Sequence, residues 1–261
     1  MSGNHPADKG CMGLPWTRSR RKPSKRFRSG LGFILLLALQ APSHAPAQTG
    51  KPVVHVFLQL DAKSAAIEKI LQQQLPDLEV TVFSRYRDLE DASAAVKPDA
   101  LVAIPPLLQQ RGKKPSLQGT RGGKDLEPYV LVSVGNVLDG PLSGKTIGSV
   151  DMMGREGTQS FVAGLLKTSD VKVKRVAKTE DLLPLLSFSG ADAIVIPTSS
   201  LAQLSERTTI AIRSKEVPGG PVGLPALAIF NEGSKDAITK AFSKMDAATK
   251  KTLGIDAWSV R

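Results

Sequence analysis

The stretch KTIGSVDMMGREGTQSFVAGLLK (Lys145–Lys167) holds a strand, a turn and a helix in order, and this unit decides the fold. The apolar run 146–150 is typical of a buried strand, and the run from about Gln159 to Leu166 predicts a helix. The turn between them, Asp151–Ser160, is rich in small and polar residues. Backbone N–H groups at a helix start lack partners within the helix, so they can hold an anion or a polar head group. The turn therefore predicts either a ligand cradle or a capped helix start.

Strand-like and helix-like runs alternate on both sides of this unit. Residues 52–60 (PVVHVFLQL) predict a strand, and residues 61–75 predict an amphipathic helix that Asp61 caps. Residues 111–124 predict a polar loop, and residues 233–245 predict a closing amphipathic helix. No internal repeat is evident in the sequence. The alternation indicates an α/β protein with largely parallel sheets, long enough for one large or two small lobes.

The first 47 residues have the composition of a secretory signal. Eight of the 35 basic residues and one of the 24 acidic residues lie in 1–47. An apolar run at 31–39 and the small residues Ala45-Pro46-Ala47 follow, which predicts cleavage before Gln48. The apolar run is shorter than the roughly 20 residues that span a bilayer, so no stable membrane anchor is expected. The sequence thus predicts a periplasmic protein, and the basic excess that would suggest nucleic-acid binding leaves with the signal.

Cysteine and histidine are too scarce for several kinds of chemistry. The single cysteine, Cys11, lies in the predicted signal, and of three histidines only His55 lies beyond it. A histidine flanked by valines is expected to pack or to form hydrogen bonds. Disulfides, thiol chemistry and a zinc site are therefore not expected, and neither a metal nor a cofactor is predicted. An enzyme is the least favoured function, because no acid/base constellation stands out.

Several segments resemble one known family in the same order along the chain. They are PYVLVSVG (128–135) with GPLSGKTIGSVD (140–151), SGADAIVIPTSSLAQL (189–204), TTIAIRSKEVPGGPVGLPALAIF (208–230) and GSKDAITKAFSKMDAATKKTLGIDAW (233–258). Together they resemble the periplasmic solute-binding proteins of the phosphate, phosphite and phosphonate type, over nearly all of 50–261.

This resemblance implies a fold and an arrangement of lobes. The expected fold is the two-lobed type II periplasmic-binding-protein-like α/β fold with a central cleft. Lobe one is predicted at 48–132 plus 215–261, and lobe two at 133–214. The two lobes are expected to close on a ligand by a hinge motion. In sheets of this kind, ligands bind at the carboxyl ends of the strands.

The candidate ligand-binding residues lie at predicted strand ends and in the turn that opens the helix. The family commonly has a Ser/Thr-rich turn there, whereas this chain has MMGREGTQS (152–160). Where the family often has an aromatic residue after the third strand, this chain has Ile104-Pro105. Helix capping, a surface tyrosine and solvated arginines are the alternative interpretations of these positions. The candidates are Ser84, Tyr86, Pro105, Asp151, Arg155, Gly157, Thr158, Gln159, Ser160, Thr198 and Ser199.

Three functions are consistent with these observations. The first is a monomeric binding protein that captures a small anionic or polar ligand and presents it to an ABC permease. The second is a binding fold that has lost transport and serves as a sensor or interaction module. The third is an enzyme on the same fold, since a fold does not fix a function.

Overall fold

A computed structural model of the chain describes residues 50–59, 63–135 and 137–261. The predicted signal at 1–47 and the predicted cap Asp61 lie outside the described residues. Contacts between Cα atoms place Gln48–Arg261 in one compact unit. No helix among the described residues is long and apolar enough to cross a membrane.

Thirteen strands in the described part of the chain form two large sheets and one short ribbon. In the central parallel strands nearly every residue is buried, which is typical of strands covered on both faces. In chain order the strands are β1 (Val53–Phe57), β2 (Glu79–Phe83), β3 (Ala100–Ala103), β4 (Leu117–Thr120), β5 (Leu126–Glu127), β6 (Tyr129–Val134), β7 (Thr146–Val150), β8 (Lys172–Val176), β9 (Ala193–Pro197), β10 (Ile212–Glu216), β11 (Val222–Gly223), β12 (Ala226–Ile229) and β13 (Ala257–Val260).

The two large sheets share a pattern of mixed strand directions. The six-stranded sheet has the order β13-β4-β12-β3-β1-β2, in which β1 runs parallel to β2 and β3. The five-stranded sheet has the order β10-β6-β9-β7-β8, in which β7 runs parallel to β8 and β9. We name the six-stranded sheet and its helices lobe one, and the five-stranded sheet and its helices lobe two. This confirms the predicted two-lobed α/β fold class.

Two short strands connect the lobes. Strands β5 and β11 pair antiparallel, with Val222 opposite Glu127 and Gly223 opposite Leu126. The chain leaves lobe one through β5 and returns through β11. The predicted boundaries at 132/133 and 214/215 fall inside β6 and β10, both of which belong to the five-stranded sheet. That division of the chain stays a prediction, and we describe the lobes by their sheets.

Helices cover the sheets with apolar faces. In lobe one, Ile67 and Leu71 of the first helix and Ile238 and Phe242 of the seventh belong to one buried cluster. In lobe two, Val162, Leu165 and Leu166 pack against the five-stranded sheet. The helices are α1 (Ser64–Gln74), α2 (Tyr86–Ala95), α3 (Pro105–Gln110), α4 (Gly154–Leu166), α5 (Leu182–Ser187), α6 (Leu201–Glu206), α7 (Lys235–Ser243) and α8 (Ala247–Thr252), with short 3₁₀ segments at Val137–Asp139, Thr179–Asp181, Thr198–Ser200 and Glu232–Ser234.

The two lobes repeat the same hydrogen bonds, which corrects the expectation of no internal repeat. Asp99 before β3 accepts the N–H of Val53 with Oδ2 at 2.7 Å, and Asp192 before β9 accepts that of Thr146 at the same distance. The partners are 46 residues apart in both bonds. The registers also agree, because β1 and β7 pair with their parallel neighbours at the same constant offset along the chain.

The first helix of each lobe contains the same anchor. Gln72 of α1 bonds the backbone at Leu78 and Val80, and Gln159 of α4 bonds the backbone at Val171 and Val173. Each amide therefore fixes a helix to the second strand of its unit. The repeated unit is β1-α1-β2-α2-β3 in lobe one and β7-α4-β8-α5-β9 in lobe two.

Candidate functional site

A main cavity of about 310 Å³ is lined by residues from both lobes and from both linking strands. Glu127 and Gly223 of the linking ribbon form one side. Gly223 fits there only because it lacks a side chain, since an added Cβ would lie 2.5 Å from Cγ of Pro105. Other residues that line the main cavity are Phe57, Gln59, Ile104, Arg121, Tyr129, Met152, Pro197, Ser199, Leu224 and Gly254.

The repeat explains why these lining residues meet. At the offset that relates β1 to β7, Gln59 corresponds to Met152, and Ile104 corresponds to Pro197. Each member of these pairs lies at or just after the carboxyl end of a central strand. The main cavity thus lies where the equivalent strand ends of the two lobes face each other, as expected for ligand sites in parallel sheets.

One wall of the main cavity contains a compensated pair of charges. Arg121 Nη1 lies 2.9 Å from Glu127 Oε2, and Arg121 Nε donates to the carbonyl of Gly254 at 2.9 Å. The other carboxylate oxygen of Glu127 accepts the N–H of Ser199 at 3.0 Å. These bonds tie the linking ribbon to both lobes. Because the two charges neutralise each other, this wall presents polar groups without a net charge.

Several other lining residues of the main cavity are apolar. Phe57 and Met152 are 3 % and 5 % exposed, and Leu224 lines the same space. Tyr129 stacks edge-on against Phe161 with ring centroids 5.8 Å apart. Burial raises the pKa of Tyr129, and the nearby Glu127 carboxylate adds to the shift. The tyrosine therefore stays protonated at every physiological pH.

A second cavity of about 210 Å³ shares Gln59 with the main cavity. Its other lining residues include Ser84 after β2 and Ala177 after β8, which correspond to each other in the repeat. The lining also includes Lys63 and Ser64 at the start of α1, and Lys178 and Glu180 after β8. The Nε2 atom of Gln59 is buried and has no hydrogen-bond partner among the described residues.

The predicted turn satisfies its own polar groups. The Thr158 hydroxyl accepts the N–H groups of Met152 and Met153 at 3.3 and 3.2 Å and donates to Asp151 at 3.1 Å. Thr158 is fully buried, and Asp151 also pairs with Arg175. The geometry gives Thr158 and Asp151 a structural role at the start of α4, so a ligand role for them stays a prediction.

The two methionines of the turn connect the lobes. Met152 and Met153 are each 5 % exposed and belong to a cluster with lobe-one residues such as Phe57 and Leu107. Gln110 of α3 donates its amide to the carbonyl of Met153 at 3.2 Å. We call this contact the methionine seam. Only Met152 of the turn also lines the main cavity.

Two further candidate residues, Tyr86 and Gly157, pack at the methionine seam. Gly154 has a φ of +73°, and an added Cβ would lie 3.1 Å from the Tyr86 ring. Tyr86 packs edge-on against Phe57 at 6.1 Å, and burial raises its pKa. An added Cβ on Gly157 would lie 2.8 Å from the Gln110 amide nitrogen, so that glycine also permits close packing. Tyr86 and Gly157 therefore act between the lobes, outside both cavities.

The remaining candidates divide between the cavities and other positions. Ser199 lines the main cavity and Ser84 lines the second. Pro105 begins α3 and contacts the linking ribbon at Gly223. Arg155 and Ser160 are exposed on α4, and neither lines a cavity described above. Gln159 holds α4 on β8, and Thr198 donates its backbone N–H to Pro128.

Sequence reasoning missed most residues of the main cavity. Gln59 lies two residues after β1 and inside the stretch 52–60 that the sequence predicts as a strand, so the strand-end rule that selected Ser84 did not select it. Arg121 lies near the end of the segment 111–124, which was interpreted as a polar loop, and Glu127 lies just beyond it. Their pairing depends on the path of the linking ribbon. Met152 gave no signal, because a methionine in a turn does not by itself indicate a site.

The single histidine beyond the predicted signal lies outside both cavities. His55 is 3 % exposed, with Nδ1 3.1 Å from Ser93 Oγ and its ring edge-on to Phe83 at 5.0 Å. It packs and forms a hydrogen bond, as predicted. The described residues contain no group of three or more His, Cys, Asp and Glu side chains arranged to hold a metal ion.

Comparison with known proteins identifies the class of fold. No protein-family model and no curated protein matches the chain. Its structure is similar to XAC2383 from Xanthomonas citri, solved bound to ATP, with a TM-score of 0.55 and 11% identity over 81% of this chain and 92% of the other. It is also similar to a putative L-cystine ABC transporter protein from Listeria monocytogenes, with a TM-score of 0.54 and 14% identity over 78% and 94%.

A third similar structure is a doubly mutated VFT2 domain of BvgS from Bordetella pertussis. Its TM-score is 0.52 at 15% identity, over 78% of this chain and 91% of the other. At such identities the likeness defines the fold alone. These structures have the two-lobed fold of periplasmic binding proteins, and the described residues have the same fold.

Proposed function

We propose that this chain is a secreted solute-binding protein whose two lobes close on one small molecule in the main cavity. The observation that carries the proposal is that equivalent strand ends of both lobes, together with both linking strands, line a single cavity. Hinge closure of this fold is stabilised by contacts that a ligand makes to both lobes. Binding without catalysis, and without a cofactor, is part of the proposal.

The lining supports a ligand with an apolar body. A volume of about 310 Å³ is near the lower end of small-molecule sites, which suits a metabolite of modest size. Phe57, Tyr129 and Met152 offer apolar surface, while Arg121 and Glu127 offer polar contacts at one end. Among the described lining residues of this cavity, Arg121 is the one cation, and it is paired. Phosphate or phosphonate specificity, which the sequence resemblance implies, has no support in this cavity.

The proposed partner is an ABC permease, and the proposed location is the periplasm. The predicted signal at 1–47 supports secretion, and the similar Listeria protein is named as part of an ABC transporter. The closed form is the one that we propose is presented to the permease. A monomer is proposed because closure needs only the two lobes of one chain.

A second candidate function, a sensor or interaction module, is favoured by the methionine seam. Met152 and Met153 bury apolar side chains in a lobe-one cluster, so protein groups supply part of the free energy of closure. A ligand would then change the lobe equilibrium less than in a freely opening protein. The similar BvgS structure is a VFT2 domain, and its fold suits either role.

A thermal-shift screen of the chain from Gln48 tests the proposal. The panel comprises amino acids including cystine, nucleotides including ATP, phosphate, methylphosphonate, aryl carboxylates and sulfonates. A ligand at a hundredfold excess over its Kd adds about 2.7 kcal/mol to the free energy of unfolding. Isothermal titration then gives the affinity of each compound that raises the Tm.

Two tryptophan variants locate the ligand. Ser199→Trp fills the main cavity, whereas Ser160→Trp places the same bulk on the exposed face of α4. Binding that is lost in Ser199→Trp and kept in Ser160→Trp supports the main cavity. The reverse pattern would return the site to the turn. If no compound raises the Tm, the solute-binding proposal is overturned in favour of the interaction module.

A further inference from the structure

The second cavity is lined by more positive than negative charge. Lys63 of lobe one and Lys178 of lobe two both line it, together with one carboxylate, Glu180. Neither lysine forms an ion pair with any residue that the structure describes. The main cavity differs, because its arginine is already neutralised. An anion in the second cavity would therefore find two available cations, one from each lobe.

The start of helix α1, which lines the second cavity, also favours an anion. Ser64 and Ala65, in the first turn of the 11-residue helix α1, line the cavity, and no side chain caps that turn. The positive end of the α1 dipole adds to the potential of the two lysines. Ser84, directly after β2, is a further hydroxyl-bearing residue of the lining.

Gln59 is a lining residue of both cavities. Its buried Nε2 atom has no hydrogen-bond partner among the described residues. Buried donors are almost always satisfied, because leaving one without an acceptor is costly. A molecule that extends from one cavity into the other passes this donor. An acceptor on that molecule would complete the hydrogen bonding of Gln59.

From these observations we propose that the second cavity binds an anionic head group of the same ligand whose apolar body occupies the main cavity. Lys63 and Lys178 supply the charge, and Gln59 donates to an acceptor where body and head meet. This inference rests on the proposed function and narrows it, because it assigns the ligand to organic anions with an apolar body. The head group is a carboxylate or a phosphate.

Three probes with one body and different heads test the inference. They are 3-phenylpropionate, 3-phenylpropan-1-ol and 3-phenylpropylamine, titrated into isotopically labelled chain from Gln48 and followed by heteronuclear NMR. We expect all three to shift signals of Tyr129 and Met152. Only the anion is expected to shift Ser64, Ser84 and the side-chain amide of Gln59, and to bind at least about tenfold tighter than the alcohol.

Matched lysine variants separate specific contacts from general charge. The double variant Lys63→Met with Lys178→Met should remove the preference for the anion and leave the affinity of the alcohol unchanged. The control, Lys97→Met with Lys240→Met, removes the same charge from exposed positions that line neither cavity. Gln59→Met should weaken the anion about tenfold while retaining the side-chain volume.

The outcomes distinguish the two proposals. Shifts at Tyr129 and Met152 without a head-group preference would overturn the anionic subsite and leave the solute-binding function standing. Equal losses in the test and control lysine variants would also overturn the subsite. No shift in either cavity with any of the three probes would overturn the inferred ligand class, whereas the solute-binding function is decided by the broader thermal-shift panel.

Discussion

At the scale of single residues, Thr158 illustrates how a polar side chain selected as a ligand group can instead hold a turn together. Its hydroxyl accepts two backbone N–H groups and donates to Asp151, while the residue is fully buried. We expect Thr158→Val to reduce the free energy of unfolding by about 1–3 kcal/mol, because buried donors lose their acceptor. Denaturant unfolding measures this loss.

Thr158→Ser is the matched control, since it keeps the hydroxyl. Its loss should be clearly smaller than that of Thr158→Val. Ligand affinity should be unchanged in both variants if Thr158 is structural. A variant that keeps its stability but loses ligand binding would restore the turn as a binding site.

His55 gives the protein a pH dependence of known sign. Burial, and secondarily the charge of Arg111, lower the pKa of His55 from its ordinary value of 6.5. The unfolded chain therefore binds a proton before the folded chain does as the pH falls. The contribution to stability is fully present above about pH 6.5 and is lost progressively below it.

Two measurements check this expectation. The free energy of unfolding should fall between pH 7.5 and pH 5.0, and it should fall less in His55→Asn. The imidazole signal of His55 should titrate below pH 6.5 in NMR spectra of the chain from Gln48, which contains one histidine. Titration at or above that value would show that the site is more solvated than the structure indicates.

Only part of the candidate site could be predicted from the sequence. The strand-end rule selected Ser84 and Ser199, which do line cavities, because the carboxyl end of a strand is readable from its apolar pattern. Arg121 and Glu127 could not be selected, because their contact depends on how two distant linking strands pair. Met152 could not be selected either, since its position depends on how the lobes meet.

At the scale of elements, the start of α4 is held between the lobes by the methionine seam. Met153→Ala should reduce the free energy of unfolding by about 2–5 kcal/mol, as is usual for a large buried side chain. It should also release α4 from lobe one, because the lost contacts are those between lobes. Small-angle X-ray scattering should then show a larger radius of gyration.

Leu166→Ala is the control for this change. Leu166 is 4 % exposed and packs in a cluster of lobe-two and linker residues, so its loss should destabilise the chain without opening it. An unchanged radius of gyration in Met153→Ala would mean that the seam does not hold the lobes together. That result would remove the observation that favours the sensor.

Most helices and strands could be predicted from their apolar patterns. The exceptions are short elements and strands that pair with segments far away in the sequence. The segment 111–124 was interpreted as a polar loop, yet it contains β4, and the tail around Trp258 contains β13. These two strands pair with each other and show little apolar alternation of their own. The predicted helix 233–245 is divided into a 3₁₀ turn and α7, and Asp246 caps the separate helix α8.

At the scale of the whole molecule, the repeat predicts a matched pair of effects. Asp99 accepts Val53 N–H and also the Asn231 amide at 2.6 Å, and it is 8 % exposed. Asp192 accepts Thr146 N–H and lies 3.7 Å from Lys145 Nζ. Because Asp99 has more partners and is more buried, Asp99→Ala should cost about 2–3 kcal/mol and Asp192→Ala about 1 kcal/mol.

Hydrogen exchange shows where each loss acts. Asp99→Ala should raise exchange in β1 and β3, and Asp192→Ala should raise it in β7 and β9. Equal effects of both variants on both sheets would indicate that the lobes unfold as one unit. The repeat itself is faint in the sequence, where DALV (99–102) and DAIV (192–195) are its clearest trace.

The order of strands in lobe one also determines when its sheet can be completed during synthesis. Strand β12 lies between β3 and β4 in the sheet, but it is synthesised only after all of lobe two. At about 5–20 residues per second, β3 and β4 wait on the order of 5–20 s for their shared neighbour. The strands of lobe two, continuous from Tyr129 to Glu216, can pair during that interval. A nascent chain that stalls before Ala226 would thus carry one finished half and one exposed sheet edge, which quality-control proteases and chaperones recognise.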